Sequence, residues 1–174
     1  MVTRINTLGS TSYGASDVFF LDTNVILDLH HPPSTNRNIP RAGVYSNFIS
    51  QLRQSGCSLR ISSFNVQEAF HVVETLAFAD YKATDANAKR KDFRKQYRSQ
   101  VATMQLAMWG QLKANYLIEG AIANKSMLED FIKNYVNHLY DPVDYLFVAN
   151  HPTCNIITSD SDFSSDPAIT VYTY

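Results

Sequence analysis

The chain has 174 residues, 45% of them hydrophobic and 18% charged, which excludes a disordered polymer and gives one domain enough material for a sizeable core. Its formal net charge of −1 excludes a global attraction to polyanions or acidic membranes, so any such contact needs a local patch. The polar opening has no secretory core segment and no apolar run approaches a membrane span, so no membrane partner is expected; the expected location is cytoplasmic, with Cys57 and Cys154 as reduced thiols.

In chain order, residues 1–17 read as a polar lead-in and residues 18–174 as the single domain. Val18 to Leu21 is a short, continuous apolar run, as a buried parallel strand requires. Val25 to Leu29 starts a helix that is cut off at His31-Pro32-Pro33-Ser34-Thr35-Asn36. Val44, Phe48, Ile49 and Leu52 are helically spaced up to a stop at Gly56, and Ser58 to Ile61 is short enough for a second strand. From Asn65 to Gly120 the chain reads as helical, with breaks near Asp80–Asp85 and at Gly110. One stripe is Val66, Phe70, Val73 and Ala77; the other, Phe93, Tyr97, Val101, Met104 and Met108, reads as core or dimer interface. A helix over 125–139, another beginning at Asp141-Pro142, and strands over 155–158 and 169–172 complete the chain. Strands alternating with helices in this order predict an α/β fold with a mainly parallel sheet.

Four acids end up on one rim of such a sheet, because the crevice lies beyond the carboxyl ends of the strands and helix N-termini start there. Asp22 directly follows the first strand and Asp160 the third. Glu68 lies in the opening turn of the helix after the second strand, and Asp144 in the first turn of the helix after Asp141. Oxygen-only donors of this kind suit Mg²⁺ or Mn²⁺, and with such an ion they serve phosphodiester hydrolysis. Each acid also has a structural reading. Asp22 in Asp-Thr-Asn suits a turn or cap. Asn65 and Glu68 match a capping box. Asp141 before Pro142 reads as an N-cap, Asp144 suits the helix dipole, and Asp160 and Asp162 suit a loop.

The segments Phe20-Leu21-Asp22-Thr23-Asn24-Val25, Ile61-Ser62-Ser63-Phe64-Asn65-Val66-Gln67-Glu68, Asp144-Tyr145-Leu146-Phe147-Val148-Ala149-Asn150 and Ile157-Thr158-Ser159-Asp160-Ser161-Asp162-Phe163 together resemble the PIN domain, a nuclease family that includes toxin–antitoxin ribonucleases. The resemblance spans about residues 18–172. It implies a three-layer sandwich, with helices flanking a central mainly parallel sheet, and a metal-dependent endoribonuclease. Asp22, Glu68, Asp144 and Asp160 would be the catalytic acids around Mg²⁺ or Mn²⁺, and Asp162 an accessory acid and metal ligand. Thr23, Asn24 and Thr158 would be polar neighbours. The reaction would be hydrolysis of RNA by water, without a covalent enzyme intermediate. The resemblance also raises an antitoxin-like protein and a second copy of the chain as partners. The chain departs from the compact toxin members in its lead-in, its long helical middle, and Asn150, where small residues are common.

Lys91, Arg94, Lys95 and Arg98 share one helical face and read either as an RNA-contact patch or as a solvated surface. Glu68 and His71 form a Glu-x-x-His pair, but the second pair and further glutamates of a di-iron bundle are missing, so His71 reads as a partly buried helix residue. A non-catalytic module that binds RNA or protein is the alternative from another functional class.

Overall fold

The computed structural model describes residues 1–5, 13–31, 39–134 and 140–174. Among them six strands form one sheet, β1 (Val2–Arg4), β2 (Val18–Leu21), β3 (Ser58–Ser62), β4 (Leu117–Glu119), β5 (Asn155–Ile157) and β6 (Thr170–Thr173). Their order across the sheet is β1-β6-β5-β2-β3-β4, and every pairing is parallel. The helices are α1 (Thr23–His30), α2 (Ile39–Gln54), α3 (Ser63–Thr84), α4 (Arg90–Asn115), α5 (Lys125–Asn134) and α6 (Pro142–Asn150), with a short 3₁₀ turn at Asp162–Ser165.

The continuous apolar runs of β2 and β5 follow from cover on both faces of the sheet. Phe19 and Leu21 of β2 and Ile157 of β5 point into a large core with Val25 and Ile26 of α1, Phe48 and Leu52 of α2, Val73 of α3, and Met108 and Leu112 of α4. The alternate residues Phe20 and Ile156 point into a smaller core with Phe147 of α6 and Phe163 of the 3₁₀ turn. The result is an α/β arrangement of three layers, as expected, and the sheet is parallel throughout. The order of strands reverses at β2. From there the chain moves outward through β3 to β4, then returns to lay β5 on the other side of β2. Ligands bind at such a switch point, beyond the carboxyl ends of the two central strands.

Several local expectations are met and several are corrected. Gly56 ends the turn after α2 with φ +77, a conformation that costs glycine little. Asp141 caps α6 by accepting from the amides of Val143 (2.7 Å) and Asp144 (2.9 Å). Phe93, Val101 and Met108 are buried, which fits the core reading of their stripe. The helical middle does not run to Gly120. It breaks at residues 85–89, passes through Gly110 without interruption, and becomes extended at Tyr116 to enter β4. β4 exists because it pairs with β3, a partner that local periodicity cannot show. Residues 2–4 of the lead-in pair with β6 at the sheet edge. The helix expected over 125–139 is present through Asn134, and residues 135–139 lie outside the described set. His71 is exposed rather than partly buried.

Asn150, the departure from the family pattern, has a structural task. Its amide accepts from the Ile122 N–H and donates to the Ile122 carbonyl, each at 3.1 Å. The Ser63 hydroxyl meanwhile accepts from the Ala121 N–H at 3.0 Å. The connection after β4 is thereby tied to the start of α3 and the end of α6. Both helices carry a rim acid, Glu68 and Asp144.

Candidate active site

Asp22 ends β2 and caps α1, so its carboxylate is held where strand becomes helix. The cap reading and the rim reading are both correct for this residue. One oxygen, Oδ1, accepts from the Thr23 N–H at 2.6 Å and from Asn65 Nδ2 at 3.3 Å. The other, Oδ2, accepts from the Thr158 hydroxyl at 2.6 Å and from Asn24 Nδ2. Asn24 also donates to Thr158 Oγ1 (3.0 Å), and its carbonyl accepts from the Ser159 N–H (3.1 Å). Asp22 is thus bound by neutral donors from α1, α3 and the end of β5.

Glu68 is not part of a capping box. Ser62 caps α3 by accepting from the Phe64 N–H at 3.2 Å, so Asn65 falls one turn inside the helix. Its buried amide turns toward Asp22 and Thr23. Glu68 falls in the second turn of α3 rather than its opening turn, because the helix starts at Ser63, and it accepts from the Thr23 hydroxyl at 2.6 Å. Asp160 is set by a turn, in which its N–H donates to Thr158 Oγ1 and its carboxylate accepts from the Asp162 N–H, each at 2.9 Å. Asp144 enters from the first turn of α6 and is buried.

The electrostatics place four of these acids in one neighbourhood. Burial first, then the charges of Asp22, Asp141, Asp160 and Glu68, push the Asp144 carboxyl up to about 8. Burial likewise raises Asp22 to about 6 against the pull of its hydrogen bonds to Thr158 and Thr23, with Glu68 and Asp160 adding to the rise. Asp162 is raised mainly by Asp160, then by slight burial and Asp141. Carboxyls that burial and like charge disfavour as anions are stabilised either by protons or by a cation. The donor set, all oxygen and from four separate elements, therefore fits a hard divalent ion in its chemistry. Among the described residues no group of three or more His, Cys, Asp or Glu side chains is arranged to hold a metal ion by itself. An ion here would complete its sphere with water or substrate oxygen, as Mg²⁺ usually does.

The basic face expected to meet RNA lies elsewhere. Lys91, Arg94, Lys95 and Arg98 are exposed on α4, and Arg94 pairs with Glu74 of α3 at 2.6 Å. Glu74 is six residues beyond Glu68, about 9 Å along the helix. Arg94, Lys95 and Arg98 line a groove that Glu74 of α3 shares, and none of the rim acids lines it. Asn65 is the site residue that sequence reasoning misassigned. The signal that could have moved the cap was Ser62, the first strong capping residue after the strand.

No family model and no curated protein matches this chain. It is similar to the solved structure of VapBC2 from Rickettsia felis bound to a DNA fragment from their promoter, at 18% identity. That alignment covers 90% of this chain and 98% of the other, with a TM-score of 0.49. No helix among the described residues is long and apolar enough to cross a membrane, and Cys57 and Cys154 are both free of disulfides.

Proposed function

We propose that this chain is a metal-dependent endoribonuclease whose acids Asp22, Glu68, Asp144 and Asp160 hold a Mg²⁺ or Mn²⁺ ion between them. The observation that supports the reading is that Asp22 and Asp144, beside the switch point of a parallel sheet, have proton affinities raised by burial and by the charges of Glu68 and Asp160. A divalent ion there would supply Lewis acidity, activating water and offsetting charge on the phosphate.

The chain's own residues then have distinct tasks. Thr158, Asn24, Asn65 and the Thr23 amide fix the Asp22 carboxylate in one orientation, and the Thr23 hydroxyl fixes Glu68. Rigid placement of this sort favours a transition state over a mobile ground state. Burial and like charge keep a proton on Asp144 near neutral pH, and a bound cation would favour its carboxylate form. Asp162 is an accessory acid on the Asp160 turn. The exposed Lys91, Arg94, Lys95 and Arg98 would bind RNA phosphates away from the acids, through charge alone. An antitoxin-like protein and a second copy of the chain belong to the toxin version of this reading, which rests on the PIN resemblance.

The test is cleavage of a mixed RNA pool with Mn²⁺ and with EDTA, beside Asp22→Asn. Cleavage should vanish in EDTA and fall about 1000-fold in the variant, the scale of a lost electrostatic contact at a reacting centre. The non-catalytic alternative draws on the lack, among the described residues, of any three such side chains arranged to hold an ion. It predicts RNA or protein binding that survives Asp22→Asn, with no cleavage by either protein.

A further inference from the structure

Beside the acids stands a cation that the carboxylate chemistry leaves unexplained. Arg41 near the start of α2 grips Asp28 of α1 with two parallel bonds, Nε to Oδ2 at 2.6 Å and Nη2 to Oδ1 at 3.0 Å. The Asp28 side chain is only 7% exposed, whereas that of Arg41 is 29% exposed. The guanidinium is therefore anchored from below and open to solvent above. Its third nitrogen, Nη1, reaches the Ser159 hydroxyl at a long 3.5 Å.

The location is specific. Asp28 lies one helical turn beyond Asn24, on the same side of α1. Asn24 bonds both to Asp22 and to the backbone of Ser159, and Ser159 directly precedes Asp160. Arg41 is thus linked to the acid rim, to Asp160 through Ser159 and to Asp22 through Ser159 and Asn24.

A guanidinium carries five N–H donors in a planar fork. Asp28 takes one from Nε and one from Nη2. Ser159 takes one from Nη1 weakly, which among the bonds of the described residues leaves one N–H on Nη1 and one on Nη2; the Tyr45 hydroxyl also acts on this charge. Those two donors have the spacing that suits two oxygens of one phosphate. A polyanion approaching four carboxylates also meets repulsion that a fixed guanidinium at the rim partly offsets.

We infer that Arg41, held by Asp28, binds a backbone phosphate of single-stranded RNA beside the carboxylate cluster and so sets the register of the strand across it. This rests on the nuclease reading for the identity of the polyanion. The contact itself can be measured without turnover.

The experiment uses the full chain with Asp144→Asn to suppress cleavage and a short fluorescent single-stranded RNA as probe. Anisotropy across a salt series gives affinity and salt slope for this background, then with Arg41→Gln or Arg41→Lys added. Arg41→Gln should weaken binding about tenfold, as expected for losing a charged hydrogen bond, and lower the salt slope by about 0.7, one phosphate contact on a single strand. Arg41→Lys should restore the slope and only part of the affinity, because lysine keeps the charge but not the fork. A fall in Tm alone, with affinity and slope unchanged, would show that Arg41 merely ties α1 to α2 and would overturn the inference; so would a chain that binds no RNA. Cleavage by the wild-type chain is scored separately. RNA binding that depends on Arg41 without any Mn²⁺-dependent cleavage sinks the nuclease reading and leaves the contact standing. Cleavage with unaltered binding and KM in the Arg41→Gln single variant does the reverse.

Discussion

Helix α1 begins at the cap Asp22 and carries Asp28 six residues later, and these two buried carboxylates meet opposite surroundings. Asp28 is matched by a guanidinium in a two-bond pair. Asp22 receives only neutral donors, and the charges of Glu68 and Asp160 add to the rise that burial imposes on it. One acid fastens two helices together. The other is held rigidly without charge compensation, and Asp144 across the rim shares that condition more strongly. A fold that pairs one buried acid and leaves others with raised proton affinity concentrates its electrostatic cost at one place, the usual signature of a working site.

The contrast predicts effects of opposite sign. Asp144→Asn should cut metal-dependent RNA cleavage by a hundredfold or more (about 3 kcal/mol in the barrier). The same change should raise the metal-free stability by roughly 1–2 kcal/mol at about pH 8, because it removes an acid that burial and neighbours oppose. Activity assays and denaturant melts in EDTA check the two halves; a loss of stability would break the comparison. Asp28→Asn should go the other way, costing about 1–2 kcal/mol by stranding the partly buried Arg41. Its Tm should drop by several degrees, readable by calorimetry.

The smallest effect is the pH dependence of stability without metal. An unfolded aspartate titrates near 3.8, whereas Asp22 and Asp144 titrate at about 6 and about 8 in the native protein. The native state then binds more protons than the unfolded state between about pH 4 and pH 8, so stability falls as pH rises through that window. Urea melts in EDTA should trace this decline, and Mn²⁺ should flatten it by taking the place of the protons. A flat profile in EDTA would mean that the rim acids are already compensated.

Much of the site was legible because strand ends and helix starts share one rim in any parallel sheet. Asp22, Glu68, Asp144 and Asp160 could be placed by topology once β2, β3, β5 and α6 were recognised from their apolar runs and from Asp141-Pro142. Asp162 was grouped with them through the PIN resemblance, and it opens the 3₁₀ turn that follows Asp160. The Glu68 capping box failed because Ser62, not Asn65, starts α3, which turns Asn65 inward and leaves Glu68 to Thr23. The four cations on α4 form a real exposed face, yet the α3–α4 hairpin carries it away from the acids.

Local sequence was sufficient wherever a signal acts within a few residues: apolar runs long enough for two-sided burial, a proline after a capping aspartate, a glycine at the end of a helix. It therefore determined the fold class and the central strands. Only the tertiary structure decided that residues 2–4 and 117–119 become edge strands, that Asn150 clasps Ile122, and that Arg41 stands over Asp28 beside Ser159. Each of those depends on a partner brought close by the fold from a separate part of the chain, and no periodicity or propensity encodes the identity of a partner.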